Sequence, residues 1–273
     1  VSPVFTSSGP LLETKGATQK IRIQERKMSP RIFKATVLAA YLLLAALCSS
    51  RPAQAQDSKA PYPAMAPLDQ YLMADRDAEI ALAKSAAPPA LSGDASVVVL
   101  EKDGYHTAIE GKNGFTCIVE RGWMSPLDST DFWNPKLRGP ICYNPAAVRS
   151  ILPYTILRTK LILSGLTKDQ MAENIQTALA GGLLPTPEPG AMSYMLSKNQ
   201  YLGDGPAHWH PHLMFHLPRV GAASWGADLD GSPVIFDSDH HEGPEPETIF
   251  MVPVGHWSDG SPAMPDDSAM HQH

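Results

Sequence analysis

Residues 96–121 read SVVVLEKDGYHTAIEGKNGFTCIVER. Three β-branched or aromatic runs, SVVVLEK, YHTAIEGK and FTCIVER, are separated by Asp103-Gly104 and Asn113-Gly114. Asp-Gly and Asn-Gly supply the positive φ that a two-residue hairpin turn needs, and such turns match the twist of the flanking strands. The stretch therefore predicts a β-meander at the front of a folded domain. Four later runs, AMSYML, HLMFHL, SPVIFD and TIFMVPV, also read as short strands, with breaks at Gly, Pro and Asp.

Between and before these strands lie helical patterns. DQYLMADRDAEIALAKSAA (69–87) is Ala-rich and stops at Pro88-Pro89. Asn144 is an N-cap with Pro145 at the first helical position. The stretch from there to Ser164-Gly165 is either one helix kinked at Pro153 or a helix followed by a strand. Thr167 and Gln170 form a capping box for MAENIQTALA, which ends at Gly181-Gly182. Strands, then helices, then strands indicate an α+β domain. Its expected form is an antiparallel sheet with an N-terminal β-meander, a few packed helices and one disulfide.

The segment before that domain has the features of a leader. Met28 is followed by Arg31 and Lys34, the apolar run Ala35 to Leu47, and the small-residue pattern Ala53-Gln54-Ala55. A basic start, a short apolar run and an A-x-A site describe a secretory signal peptide, too short to be a membrane span. Leu47-Cys48 is the alternative, a lipoprotein anchor, but a lipoprotein cysteine follows a small residue and leucine is not one. The expected organisation is residues 1–27 untranslated or disordered, 28–55 a signal peptide and 56–67 a flexible leader. Residues 68–257 then form a single α+β domain, and 258–273 a disordered tail. The implied location is periplasmic or secreted, with no transmembrane segment in the mature protein.

Charge and cysteine usage follow from that processing. Residues 1–55 hold 8 of the 22 Lys+Arg and 2 of the 28 Asp+Glu, so the remainder carries 14 basic against 26 acidic residues, a formal charge of −12. No Lys or Arg follows Arg219. Such a surface repels phosphate backbones and excludes nucleic acid as a partner; it attracts cations. Cys117 and Cys142 are the two cysteines left in the mature chain. In an oxidising compartment they read as one disulfide, worth roughly 3 kcal/mol in the chain-entropy model. There is no C-x-x-C to suggest redox catalysis.

The chemistry-bearing stretch is HWHPHLMFH (208–216). If extended, it puts His208, His210, His212, Met214 and His216 on one face and Trp209, Leu213 and Phe215 on the other. The apolar set is the expected core face, leaving the histidines outward or in a cleft. Alternate strand residues lie about 6.8 Å apart, close enough for two imidazoles to converge on one ion. Pro211 permits a bend. The cluster DSDHHE supplies Asp237, Asp239, His240, His241 and Glu242 as further ligands, and His256 lies beyond. Imidazole with carboxylate suits zinc or iron, and the tail's Met264, Met270, His271 and His273 would suit copper. The alternative is that these are polar loop, edge and tail residues without an ion.

Two functions follow. One is transition-metal binding through His208, His210, His212, Asp239, His240 and His241, with zinc, copper or iron. The other is a non-catalytic exported domain that binds a partner or small molecule through the aromatic disulfide loop, Trp123, Phe132 and Trp133. Ser193 lacks a G-x-S-x-G elbow and reads as a strand residue, and no phosphate loop or dinucleotide fingerprint implies a nucleotide cofactor. Asp228-Leu229-Asp230-Gly231 is a turn that lacks the third acid and closing glutamate of a calcium loop.

Four pieces in order, N-G-F-T-C at 113–117, S-Y-M-L at 193–196, P-H-L-M at 211–214 and M-V-P-V at 251–254, resemble a family of uncharacterised bacterial exported proteins. The resemblance spans most of the mature chain and implies a shared fold, a leader and a cysteine in the hairpin. It implies no activity.

Overall fold

Val97, Val98, Val99 and Leu100 are all buried, so the strand that carries them, β1 (Ser96–Glu101), has both faces covered. A computed structural model describes residues 61–204, 209–236 and 247–263, all within one unit of the chain, Lys59–His273. Around β1 it builds a mostly antiparallel, eight-stranded sheet in the order β2-β1-β3-β4-β5-β6-β8-β7. The other strands are β2 (Gly104–Ile109), β3 (Thr116–Glu120), β4 (Gly139–Tyr143), β5 (Met192–Met195), β6 (His212–Pro218), β7 (Ile235–Phe236) and β8 (Glu247–Pro253). With five helices among the described residues, the fold is α+β as expected.

Its N-terminal part differs from a simple meander. The Asp103-Gly104 hairpin forms, with Glu101 opposite Gly104. The third strand, however, crosses to the far side of β1 and pairs with it in parallel, Ser96 opposite Thr116 and Val97 opposite Cys117. Asn113-Gly114 therefore does not close a two-residue hairpin. Asn113 Nδ2 donates to the Leu91 carbonyl and its Oδ1 accepts from Phe115 N–H, steering the chain around the strand end. Burial explains the choice. An unbroken apolar run wants neighbours on both sides, whereas the polar β2 is tolerated at an edge.

The helices are α1 (Arg76–Lys84), α2 (Pro89–Ser92), α3 (Pro145–Ser150), α4 (Leu152–Leu163) and α5 (Lys168–Ala180). Asp75 caps α1 by accepting from Asp77 and Ala78, so the helix starts later than composition suggests; Leu68–Gln70 is a 3-10 turn instead. Asn144 caps α3, and the chain breaks at Ile151 before restarting with Pro153 in the first turn of α4. That selects the kinked helix over helix-then-strand. The Thr167–Gln170 capping box is present.

Alternation along the strands divides the sheet into two faces. Val97, Val99, Cys117, Val119 and Cys142 pack with Ala83, Ala86 and Ala87 in and beyond α1. Cys117 and Cys142 lie directly opposite on β3 and β4 and form the disulfide, both fully buried. Arg121, also fully buried, ties this face to α1 through an ion pair to Glu79 (2.8 Å), whose carboxylate also accepts from Leu100 N–H. The opposite face, with Val98, Ile118, Ile141, Met195, Met214 and Ile249, lies under α3 and its neighbours. Residues 61–67 and 258–263, read from sequence as leader and tail, are tied in. Met65 packs beside Tyr71, while Ser258 N–H donates to the Leu196 carbonyl and Lys198 pairs with Asp259. No helix among the described residues is long and apolar enough to cross a membrane.

Candidate ligand cavity

The second face of the sheet carries a row of buried polar side chains. The row runs diagonally across four strands, set by register. Tyr143 on β4 faces Ser193 on β5, Ser193 faces Met214 on β6, and His216 on β6 faces Ile249 on β8, two residues from Glu247. His216 Nδ1 donates to Glu247 Oε2 (2.7 Å) and its Nε2 lies 2.9 Å from Ser193 Oγ. The contacts resemble those of a serine–histidine–acid relay. Ser193, however, is a fully buried mid-strand residue that does not line the cavity described next, so it orients His216.

A second network meets the first. Tyr143 O–H donates to Glu120 Oε1 (2.5 Å) and lies 3.2 Å from Thr155 Oγ1 on α4. Its ring centre is 6.2 Å from that of His216. Arg158, one turn further along α4, donates to Tyr154 Oη (2.6 Å) and to the Ser125 carbonyl (2.5 Å). Burial pushes the Glu120 carboxyl up to about 7, opposed by the Tyr143 hydrogen bond and by His216 and Arg158. Burial pushes Arg158 down to about 9 and holds Tyr143 well above its ordinary value, with Glu120 adding to the rise at Tyr143.

These groups line one cavity of about 180 Å³ between the sheet and α4. Glu120, Tyr143, Arg158, His212, His216 and Glu247 are among the polar residues that line it, Arg121 also reaches it, and methionines, isoleucines and leucines make up most of the apolar lining. Trp209, 46% exposed, marks the solvent side. The sheet leaves room here because Gly139 has no side chain: a Cβ would sit 3.2 Å from Leu202 Cδ2 and 3.4 Å from Met195 Cε.

Of the two placements expected for the histidines, outward or in a cleft, His212 and His216 take the second, but the apolar set is not the better-buried face. His212, Met214 and His216 are buried on the cavity side, while Leu213 and Phe215 are only half-buried on the reverse. There an aromatic stack, Trp225 on Phe250 at 4.8 Å and Phe215 beside Trp225, covers them in place of a helix. His212 Nδ1 donates to the His210 carbonyl (2.7 Å), and His210 itself is half-buried.

Of the expected metal ligands, His208, Asp239, His240 and His241 lie outside the described residues, as do Asp237, Glu242 and the Met264–His273 tail. Among the described residues, one set of three His, Cys, Asp or Glu side chains brings ligand atoms within reach of a single ion: Glu101, Asp103 and His106. All three are exposed on the first hairpin.

The aromatic loop is also placed differently. Trp123 and Phe132 are fully buried, Trp123 against Tyr71 and donating through Nε1 to Thr159 Oγ1 (3.0 Å). Trp133 packs edge-on to Phe132. Core packing leaves the Trp123 and Phe132 rings no free face for a partner, yet the loop's Met124, Ser125 and Pro126 do line the cavity.

Sequence reasoning missed Glu120, Tyr143, Arg158 and Glu247. Two signals were readable. Glu120 shares strand parity with Ile118, and Arg158 recurs at helical spacing with Ile151, Tyr154, Thr155 and Ile162. An arginine on the apolar face of a helix needs buried partners.

No protein-family model, curated protein or solved structure matches the chain.

Proposed function

We propose that the protein is an exported small-molecule-binding protein, acting in the periplasm or outside the cell, whose ligand occupies the cavity between the sheet and α4. The observation that carries the reading is the convergence of Glu120, Tyr143, Arg158, His216 and Glu247 on one cavity. Burying ionisable groups costs several kcal/mol each unless they are paired, and a well-packed apolar core would be at least as stable. Clusters of this kind concentrate at functional sites, and a cavity with apolar walls and a few convergent polar groups is the usual form of a ligand site. Its size suits a compact ligand: an apolar cavity of about 150 Å³ accepts benzene.

The polar groups indicate what such a ligand carries. Arg158 favours an anionic or carbonyl oxygen, while Glu120 and Glu247 favour hydrogen-bond donors. A carboxyl held near neutrality also exchanges protons readily at physiological pH, the property of a general acid or base. The test is ligand-observed NMR of small carboxylic acids, amino acids and monosaccharides against the natively processed protein and a Gly139→Val variant. Binders that vanish on filling the floor of the cavity support the reading. An absence of binders, or binders indifferent to Gly139→Val in a folded variant, contradicts it.

A further inference from the structure

We propose that the cavity selects a small primary ammonium with a compact apolar body, its charge paired with the Glu120 carboxylate. This deepens the reading of the cavity as a ligand site, on which it rests, by naming the class of ligand.

Glu120 differs from Glu79 and Glu247 in its partner. Glu79 pairs with Arg121 and Glu247 with His216, whereas no basic side chain among the described residues forms an ion pair with Glu120. Glu120 accepts instead from the neutral Tyr143 hydroxyl (2.5 Å), which lies 3.2 Å from Thr155 Oγ1. With Tyr143 donating to the carboxylate, Thr155 is left to donate to Tyr143, so both hydroxyl protons point toward Glu120. Such a chain favours the ionised carboxylate. Burial opposes it and pushes the group up to about 7, and Glu247 on β8 adds to the rise. Tyr143 on β4, His216 on β6 and Arg158 on α4 act the other way. Arg121, next to Glu120 in the chain, is committed to Glu79. Hydrogen bonds thus prepare Glu120 for a charge, and no counter-ion among the described residues touches it.

An ammonium supplies that counter-ion. Its three N–H donors match the second Glu120 oxygen and the lone pairs of the Tyr143 and Thr155 hydroxyls, and all three residues line the cavity. The approach is open because Gly139 stands directly opposite Glu120 on β4, so no side chain from that strand covers the carboxylate. Met195 and Leu202 are the nearest apolar side chains to Gly139, and with Ile141 and Met214 they line the space an alkyl group would fill. Other ligand charges suit the site less well. An anion would meet both Glu120 and Glu247 across a small cavity, and a neutral ligand would leave the carboxylate charge unmatched.

n-Butylammonium is the probe, with n-butanol and butyrate as its neutral and anionic counterparts of similar size. Each would be titrated by NMR into the natively processed wild type, Glu120→Gln and Gly139→Val at about pH 6 and pH 8, with thermal unfolding to verify each fold. At pH 8 the wild type should bind n-butylammonium at least about tenfold more tightly than either counterpart. Its affinity should fall about tenfold from pH 8 to pH 6, as a carboxyl with its midpoint at about 7 takes up a proton. Glu120→Gln keeps the size and removes the charge. It should weaken binding at least about tenfold at pH 8 and abolish the pH dependence, which a merely structural role would not do. Butanol or butyrate binding as tightly as the ammonium, and lost in Gly139→Val, would overturn the proposal while leaving the cavity a ligand site. Ammonium binding indifferent to Glu120→Gln or to pH would overturn it too. Absence of binding by all three would overturn the proposal and count against the ligand-site reading as well.

Discussion

The two faces of one sheet are built on opposite terms. Under α1, Val97, Val99, Cys117, Val119 and Cys142 meet alanines, and the one buried charge pair, Arg121 with Glu79, is locked by further hydrogen bonds to Tyr71 and Leu100 backbone. Under α4, the other face of the sheet presents Glu120, Tyr143, His216 and Glu247 around a cavity, with Ser193 behind His216. Strand alternation lets one backbone serve both purposes: odd positions of β3 hold the fold, and Ile118 and Glu120 serve the cavity face. A face selected only for stability would not keep a carboxyl at about 7 by burying it.

Mutation should separate the faces, with the largest effect on the α1 side. Arg121→Met leaves Glu79 buried without its partner and should destabilise the protein by about 3–5 kcal/mol in urea unfolding. Two effects of similar size come next, with opposite signs. Replacing both cysteines by alanine should lose roughly 3 kcal/mol while leaving ligand binding intact in the folded protein. Glu120→Gln should instead stabilise the protein at pH 8, by about 3 kcal/mol if the whole shift is recovered.

The sign of that last effect follows from linkage. The folded carboxyl, at about 7, binds its proton more tightly than the unfolded one, at 4.5. Folding is therefore favoured where Glu120 is protonated, and wild-type stability falls as pH rises from about 4.5 through about 7. The advantage of Glu120→Gln should accordingly disappear below about pH 4.5. The smallest effect belongs to neither face. Asp103→Asn on the exposed hairpin removes the contact with His106 and should leave the urea-unfolding midpoint unchanged, because solvent screens an exposed pair.

Much of this fold was legible from local chemistry. The Asp103-Gly104 turn, the Asn144 cap and the Thr167–Gln170 box act through neighbouring residues, and Cys117 and Cys142 form the expected pair. The path of β3 was not, because Asn113-Gly114 permits a turn without saying which side of β1 the next strand joins. The unbroken Val97–Leu100 run was the clue that β1 is central. The cavity was legible least. Histidines at alternate positions look like a solvent-facing set until β5 and β8 are known to flank them. Arg158 and Tyr143 reach Ser125, Thr155 and Glu120 from 12 to 33 residues away, distances over which sequence carries no pairing signal.

The central claim, that the cavity face holds a carboxyl poised for proton exchange, is tested most directly at Glu120 itself. Side-chain ¹³C NMR of the natively processed protein, assigned by Glu120→Gln, would follow its carboxyl shift with pH. A midpoint near 7 is the predicted result. A midpoint near the ordinary 4.5 would mean that Glu120 is well solvated, and the contrast between the two faces would fail.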